Sequence, residues 1–158
     1  MSTLDLLRQL QAADSAIDAG RARLSAVHAT LTDRREYETA RSEHAERTEA
    51  RRRAEAEQRD LELQVATLRQ QLTDVEGKLY SGSVRDAREL QNLSRESAQV
   101  KARIGSLEER LLDVLGAVEE ATAAHADVEQ RLRTIVAERR KTEAALLEER
   151  KVLVRSIE

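Results

Sequence analysis

Apolar residues recur along this chain with one dominant rhythm. Leu61, Val65, Leu68, Leu72, Val75 and Leu79 are spaced alternately four and three residues apart, which is the seam of a coiled-coil helix. The seam stops at Tyr80-Ser81-Gly82-Ser83. Glycine readily takes the left-handed conformation that closes a helix, so Gly82 is the expected stop. Asp86 followed by Glu89 reads as the capping start of the next helix, with Ser83 as a second candidate cap. The rhythm then resumes at Leu90 and Leu93 and runs through Ser97, Val100, Ile104, Leu107, Leu111, Val114, Val118, Ala121, His125, Val128, Leu132 and Ile135 toward Leu153. A phase kept this long predicts one unbroken helix, which Gly105 and Gly116 weaken locally by about 1 kcal/mol each relative to Ala.

Two seams joined by a short turn should pack antiparallel. The predicted fold is all-α, a long antiparallel two-helix coiled-coil hairpin. Arm one covers about 3–80, the turn about 81–85 and arm two about 86–157, as a single hairpin domain. Folding the chain at the turn pairs Val75 with Leu90, Leu72 with Leu93, Leu68 with Ser97, Val65 with Val100 and Leu61 with Ile104, and extends outward to Ala54 with Leu111 and Tyr37 with Val128. Toward the far end a second set, Leu10, Ile17, Leu24 and Leu31 with Ala13, Gly20 and Val27 between them, is one residue out of phase. Its expected partners are Ile135 for Leu31, Thr142 for Leu24, Leu146 for Gly20 and Leu153 for Ala13. A phase break of this kind over- or underwinds a supercoil locally, so a bend is predicted near residues 31–37.

Composition sharpens this picture. The only aromatics are Tyr37 and Tyr80, and there is no Cys, Pro, Trp or Phe. A compact globule would bury several aromatics; paired helices need only aliphatic stripes. Charged residues make up 36% of the chain, yet the net charge is only −3, with both signs interspersed. That gives no electrostatic case for a nucleic-acid footprint over the whole molecule. Without cysteine there is no thiolate metal site in the chain, and no cofactor is expected in it. No apolar run approaches a membrane span, and the first residues lack a basic region followed by an apolar core, so the expected compartment is the cytoplasm.

Between Thr32 and Asp60 arm one has no aliphatic residue larger than Ala, and it places Arg47, Arg51 and Gln58 on the seam. The second arm answers with Leu107, Leu111, Val114 and Val118, and Leu112 and Leu115 add apolar surface nearby. These six form a candidate stripe for a protein partner or for self-association. The alternative is a loose seam in which Arg stems cover the apolar groups. His44 and His125 fall about one turn apart across the hairpin with Glu43 near them, and His28 stands alone; ordinary seam or surface histidines are expected rather than a metal site. Arg51-Arg52-Arg53 and Arg139-Arg140-Lys141 are diluted by acidic neighbours and read as solvated helix faces, with nucleic-acid binding the weaker alternative. No phosphate loop, nucleophile motif or pocketed carboxylate pair is present, so no enzyme is expected.

The turn is more particular than a reversal requires. It runs Lys78, Leu79, Tyr80, Ser81, Gly82, Ser83 and Val84, followed by Asp86, Arg88, Glu89 and Leu90. Tyr80 is expected to clamp the tip by packing on Val84 or Leu90, with an exposed recognition tip as the alternative. These residues, with Leu107-Glu108-Glu109, resemble a bacterial family in which a coiled-coil hairpin precedes a four-cysteine zinc ribbon. Its members include flagellar and type III secretion regulators that bind an alternative sigma factor. The resemblance implies a non-catalytic adaptor or regulator that scaffolds protein partners, and a zinc ribbon after residue 158 whose cysteines this chain does not contain. The alternatives are a helical arm that binds nucleic acid together with such a ribbon, and a passive spacer.

Overall fold

The structure is a computed structural model and describes residues 2–157. It consists of three helices, α1 (Thr3–Thr32), α2 (Arg35–Tyr80) and α3 (Ala87–Ile157). Arm one is α1 and α2, interrupted at Asp33 and Arg34; arm two is α3 alone, running without a break through Gly105 and Gly116. The fold is the antiparallel coiled-coil hairpin that the seams predict, and the interruption falls within the predicted bend. The helices divide into two units, one of residues 1–43 with 129–158 and one of residues 44–128.

In the second unit the buried residues are Leu61, Val65 and Val75 of α2 and Ser97, Val100, Ile104, Val114, His125 and Val128 of α3. All are seam positions. Their register differs from the expected one. Glu76 accepts from Ser97 Oγ at 3.4 Å and pairs with Lys101 at 2.6 Å. The expected register would put Glu76 opposite Glu89, leaving Lys101 ~18 Å further along α3 at 1.5 Å per residue. Arg69 with Glu108 and Arg110 with Glu57 agree with the same shift. The arms have slipped by one heptad: Val75 faces Ser97, Leu72 faces Val100, Leu68 faces Ile104 and Leu61 faces Leu111.

A slip of one heptad leaves every seam residue facing another seam residue, so apolar spacing alone does not distinguish the two registers. Side-chain identity does. The slipped register puts Leu111 against Leu61 instead of Ala54, takes Val114 and Val118 off Arg51 and Arg47, and brings Leu79 to Leu93, while Ser97 exchanges Leu68 for Val75 and gains an acceptor in Glu76. Each aliphatic side chain that gains an apolar neighbour in this way gains a share of the ~1.5–3 kcal/mol that full burial of such a side chain provides.

The first unit shows the same shift. Arg23 of α1 pairs with Glu149 through two hydrogen bonds, of 2.6 and 2.9 Å. A methyl group placed on Gly20 would lie 3.1 Å from Ile157 Cδ1. Gly20 therefore faces Ile157 rather than Leu146. Val27, 1% exposed, is the most buried residue of this unit.

Candidate interaction surfaces

The hairpin tip closes through its own polar atoms. Ser81 N–H donates to Gly77 O and completes the last turn of α2, while Ser81 Oγ reaches Lys78 O at 3.1 Å. Gly82 takes φ +73°, a left-handed conformation that a side chain would strain. The chain then runs non-helically to Asp86, whose carbonyl accepts from Leu90 N–H and whose Oδ1 accepts from Arg88 N–H at 3.3 Å. Asp86 is thus the N-cap of α3. Ser83 belongs to the turn, its hydroxyl 2.6 Å from that of Ser81, and does not cap the helix.

Leu79, Val84 and Leu90 are half-buried, whereas Lys78, Ser81, Gly82, Asp86 and Glu89 are exposed. Tyr80 is 76% exposed, so its ring does not clamp the tip as expected. A helical side chain leans back toward the N-terminus of its own helix, and that directs Tyr80 toward Glu76 and Lys101. The Lys101 ammonium, hydrogen-bonded to Glu76 and within electrostatic reach of Tyr80, keeps its proton above the ordinary lysine range.

The candidate stripe on α3 does not form one exposed apolar face. Val114 is buried at 8% exposure, Leu107, Leu111, Leu115 and Val118 are half-buried, and only Leu112, at 69%, stands in solvent. The slip accounts for this: it brings Leu61 to Leu111, Gln58 to Val114 and the small Ala54 to Val118. Arg51 contributes as well. It is half-buried, with Nη1 3.4 Å from His125 Nδ1. Its Nε lies 3.4 Å from Glu55 Oε1, out of line for a hydrogen bond, and is the buried side-chain polar atom left unsatisfied among the described residues. The Arg stem covers the seam while its head stays partly inside it.

His44 and His125 lie with ring centroids 5.0 Å apart and tilted by 45°. His125 is 9% exposed and occupies the seam, and His28 is exposed. Glu43 is engaged by Arg131 at 2.7 Å. No cluster of three or more His, Cys, Asp or Glu suited to a metal ion occurs among the described residues. The basic runs are tied to their acidic neighbours: Arg53 pairs with Glu49 at 3.2 Å and Lys141 with Glu138 at 3.3 Å.

The break between α1 and α2 holds a polar constellation that the phase shift located but did not describe. Asp33 N–H donates to Ala29 O, and Asp33 Oδ1 accepts from Arg35 N–H at 3.1 Å, so one residue closes α1 and starts α2. The Arg35 guanidinium grips the same carboxylate at 2.6 Å. From α3, Arg139 donates to Asp33 O at 2.5 Å and to Leu31 O at 3.4 Å, filling carbonyls that a helix end leaves unpaired. The Arg35 side chain, its backbone N–H and the nearby Arg139 hold the Asp33 carboxyl well below the usual carboxylate range. An open groove of about 380 Å³ lies beside this cap, lined by Leu31, Tyr37, Ile135, Thr142 and Leu146 among others. A local signal was available: Thr32-Asp33 followed by Glu36 has the form of a helix start.

None of the helices among the described residues is long and apolar enough to cross a membrane. Compared with known families, residues 10–156 match the CT398-like coiled coil hairpin domain. No curated protein and no solved structure matches the chain.

Proposed function

As a member of the CT398-like coiled coil hairpin family, the chain is a helical module, and we propose that it acts as a non-catalytic adaptor or regulator that holds protein partners at its hairpin tip. One observation carries this reading. Tyr80, one of only two aromatics in the chain, stands 76% exposed at the end of α2 beside the Gly82 turn. A large ring left in solvent at a helix end is a contact residue in waiting, because aromatic anchors dominate binding energy at protein interfaces. The resemblance of the tip to zinc-ribbon regulators of flagellar and type III secretion supports a partner from transcription or export machinery, and a cytoplasmic setting.

The test is affinity isolation with the wild-type chain and a Tyr80→Ala variant of equal helix content by circular dichroism. A defined partner should be retained at least tenfold less by the variant. Equal retention by both would refute the tip as the contact, and salt-sensitive RNA binding in place of protein retention would favour a nucleic-acid arm.

A further inference from the structure

The break between α1 and α2 leaves a gap against the second arm. Asp33 and Arg34 lie outside both helices, so over this stretch arm one has no helical turn to lay against α3. Leu31, Ile135 and Leu146 line the resulting groove and stay half-buried. A second hollow of about 240 Å³ adjoins it, lined by Arg34, Tyr37, Val136, Arg139, Arg140 and Glu143. Tyr37, Arg139 and Glu143 border both. An apolar slot thus runs beside a basic one.

The charges around the pair do not balance. Asp33 is held by Arg35, and Glu138 by Lys141. Arg139 bonds main-chain carbonyls rather than a carboxylate. Arg34 and Arg140 are exposed and pair with no acid among the described residues. Glu36 and Glu143 are the acids left to set against these three arginines.

We propose that this double groove receives a protein segment in which an apolar side chain is flanked by carboxylates. The apolar side chain enters against Leu31, Ile135 and Leu146. A carboxylate lies across Arg34 and Arg140, whose planar guanidiniums suit it. Charge complementarity selects an acidic partner, and the apolar wall selects a peptide over a bare inorganic anion. Nucleic acid fits less well: a phosphate backbone needs a longer track of cations, and Glu36 and Glu138 stand on the apolar side. The groove lies in the unit that does not contain the hairpin tip, so this contact and the one at Tyr80 can fail separately.

The probe is a short labelled peptide that alternates Leu with Asp-Asp, followed by fluorescence anisotropy. The wild-type chain should bind it, and binding should weaken as salt is raised. Arg34→Glu with Arg140→Glu breaks no pairing and should weaken binding about tenfold or more at unchanged helix content. Arg150→Glu, exposed on α3 outside both hollows, should leave it unchanged. A peptide with Ser for Leu should bind about tenfold less tightly. No binding at millimolar concentration, equal binding by the double variant, or equal binding of the Ser peptide would each overturn the proposal. So would single-stranded RNA that binds the same arginines more tightly than the peptide. Self-association of the chain that the double variant abolishes would put a second copy in the groove and overturn it as well.

Discussion

Arg139 of α3 donates to the main-chain carbonyl of Asp33, the residue at which α1 ends. A side chain from the second arm thereby caps a helix of the first. The last carbonyls of a helix carry partial negative charge, and a guanidinium satisfies them and the macrodipole together. Replacing Arg139 by Met keeps the apolar stem and removes the donors. The expected cost is about 0.5–1.5 kcal/mol, the net contribution of a typical hydrogen bond, because the stronger of the two is exposed to solvent. It should appear as a lower thermal midpoint and faster amide exchange at Asp33.

Asp33 makes the same break sensitive to acid. Its carboxyl is depressed in the folded chain, first by the Arg35 side chain and then by the Arg35 backbone N–H. A depressed carboxylate contributes stability that is present above its unfolded value, near 3.9, and is lost as pH falls toward the folded value. The wild-type chain should therefore lose stability progressively below about pH 4. Asp33→Asn should be less stable at neutral pH and should show a shallower acid dependence. Thermal midpoints between neutral pH and strong acid check both.

The register can be read directly with paired cysteines. Leu72→Cys with Val100→Cys should form an intramolecular disulfide readily, because the slipped register places these positions opposite each other. Leu72→Cys with Leu93→Cys should not, because one heptad, ~10 Å, separates them along the axis. Mobility on non-reducing gels distinguishes the two, and efficient oxidation of the second pair would refute the slip.

The glycines divide by their surroundings. A methyl group at Gly105 or Gly116 meets nothing within 4 Å, so Ala at either should stabilise α3 by about 0.5–1 kcal/mol. At Gly20 the same change meets Ile157 Cδ1 at 3.1 Å, which offsets the helix-propensity gain. At Gly82, φ +73° makes Ala unfavourable by about 1 kcal/mol. Chemical denaturation of the four single variants would rank them.

The seams from Leu61 to Leu79 and from Leu90 onward were enough to read the antiparallel hairpin, the Gly82 stop, the Asp86 cap and the interruption after Leu31. Register was not legible from spacing, because a heptad repeat is blind to a shift by its own period. The polar pairs that reveal it, Glu76 with Ser97 and Lys101, need both arms placed before they mean anything. The stripe from Leu107 to Val118 looked unpartnered because Arg51 and Arg47 were set opposite Val114 and Val118. With the slip, Gln58 and Ala54 stand there instead, and most of the stripe is half-covered. Tyr80 was expected to fold onto Val84 or Leu90; its exposure depends on how the turn climbs along α3, which residue spacing does not encode.

The two tyrosines have a practical consequence. Tyr37 is half-buried in the unit that contains the α1–α2 break, and Tyr80 is exposed in the unit that contains the turn. With no tryptophan in the chain, each ring is the sole intrinsic fluorophore of its own unit. Tyr37→Phe leaves emission that reports on the tip alone, and Tyr80→Phe leaves emission that reports on the break alone. Unfolding of the two units can then be followed separately, without an added label.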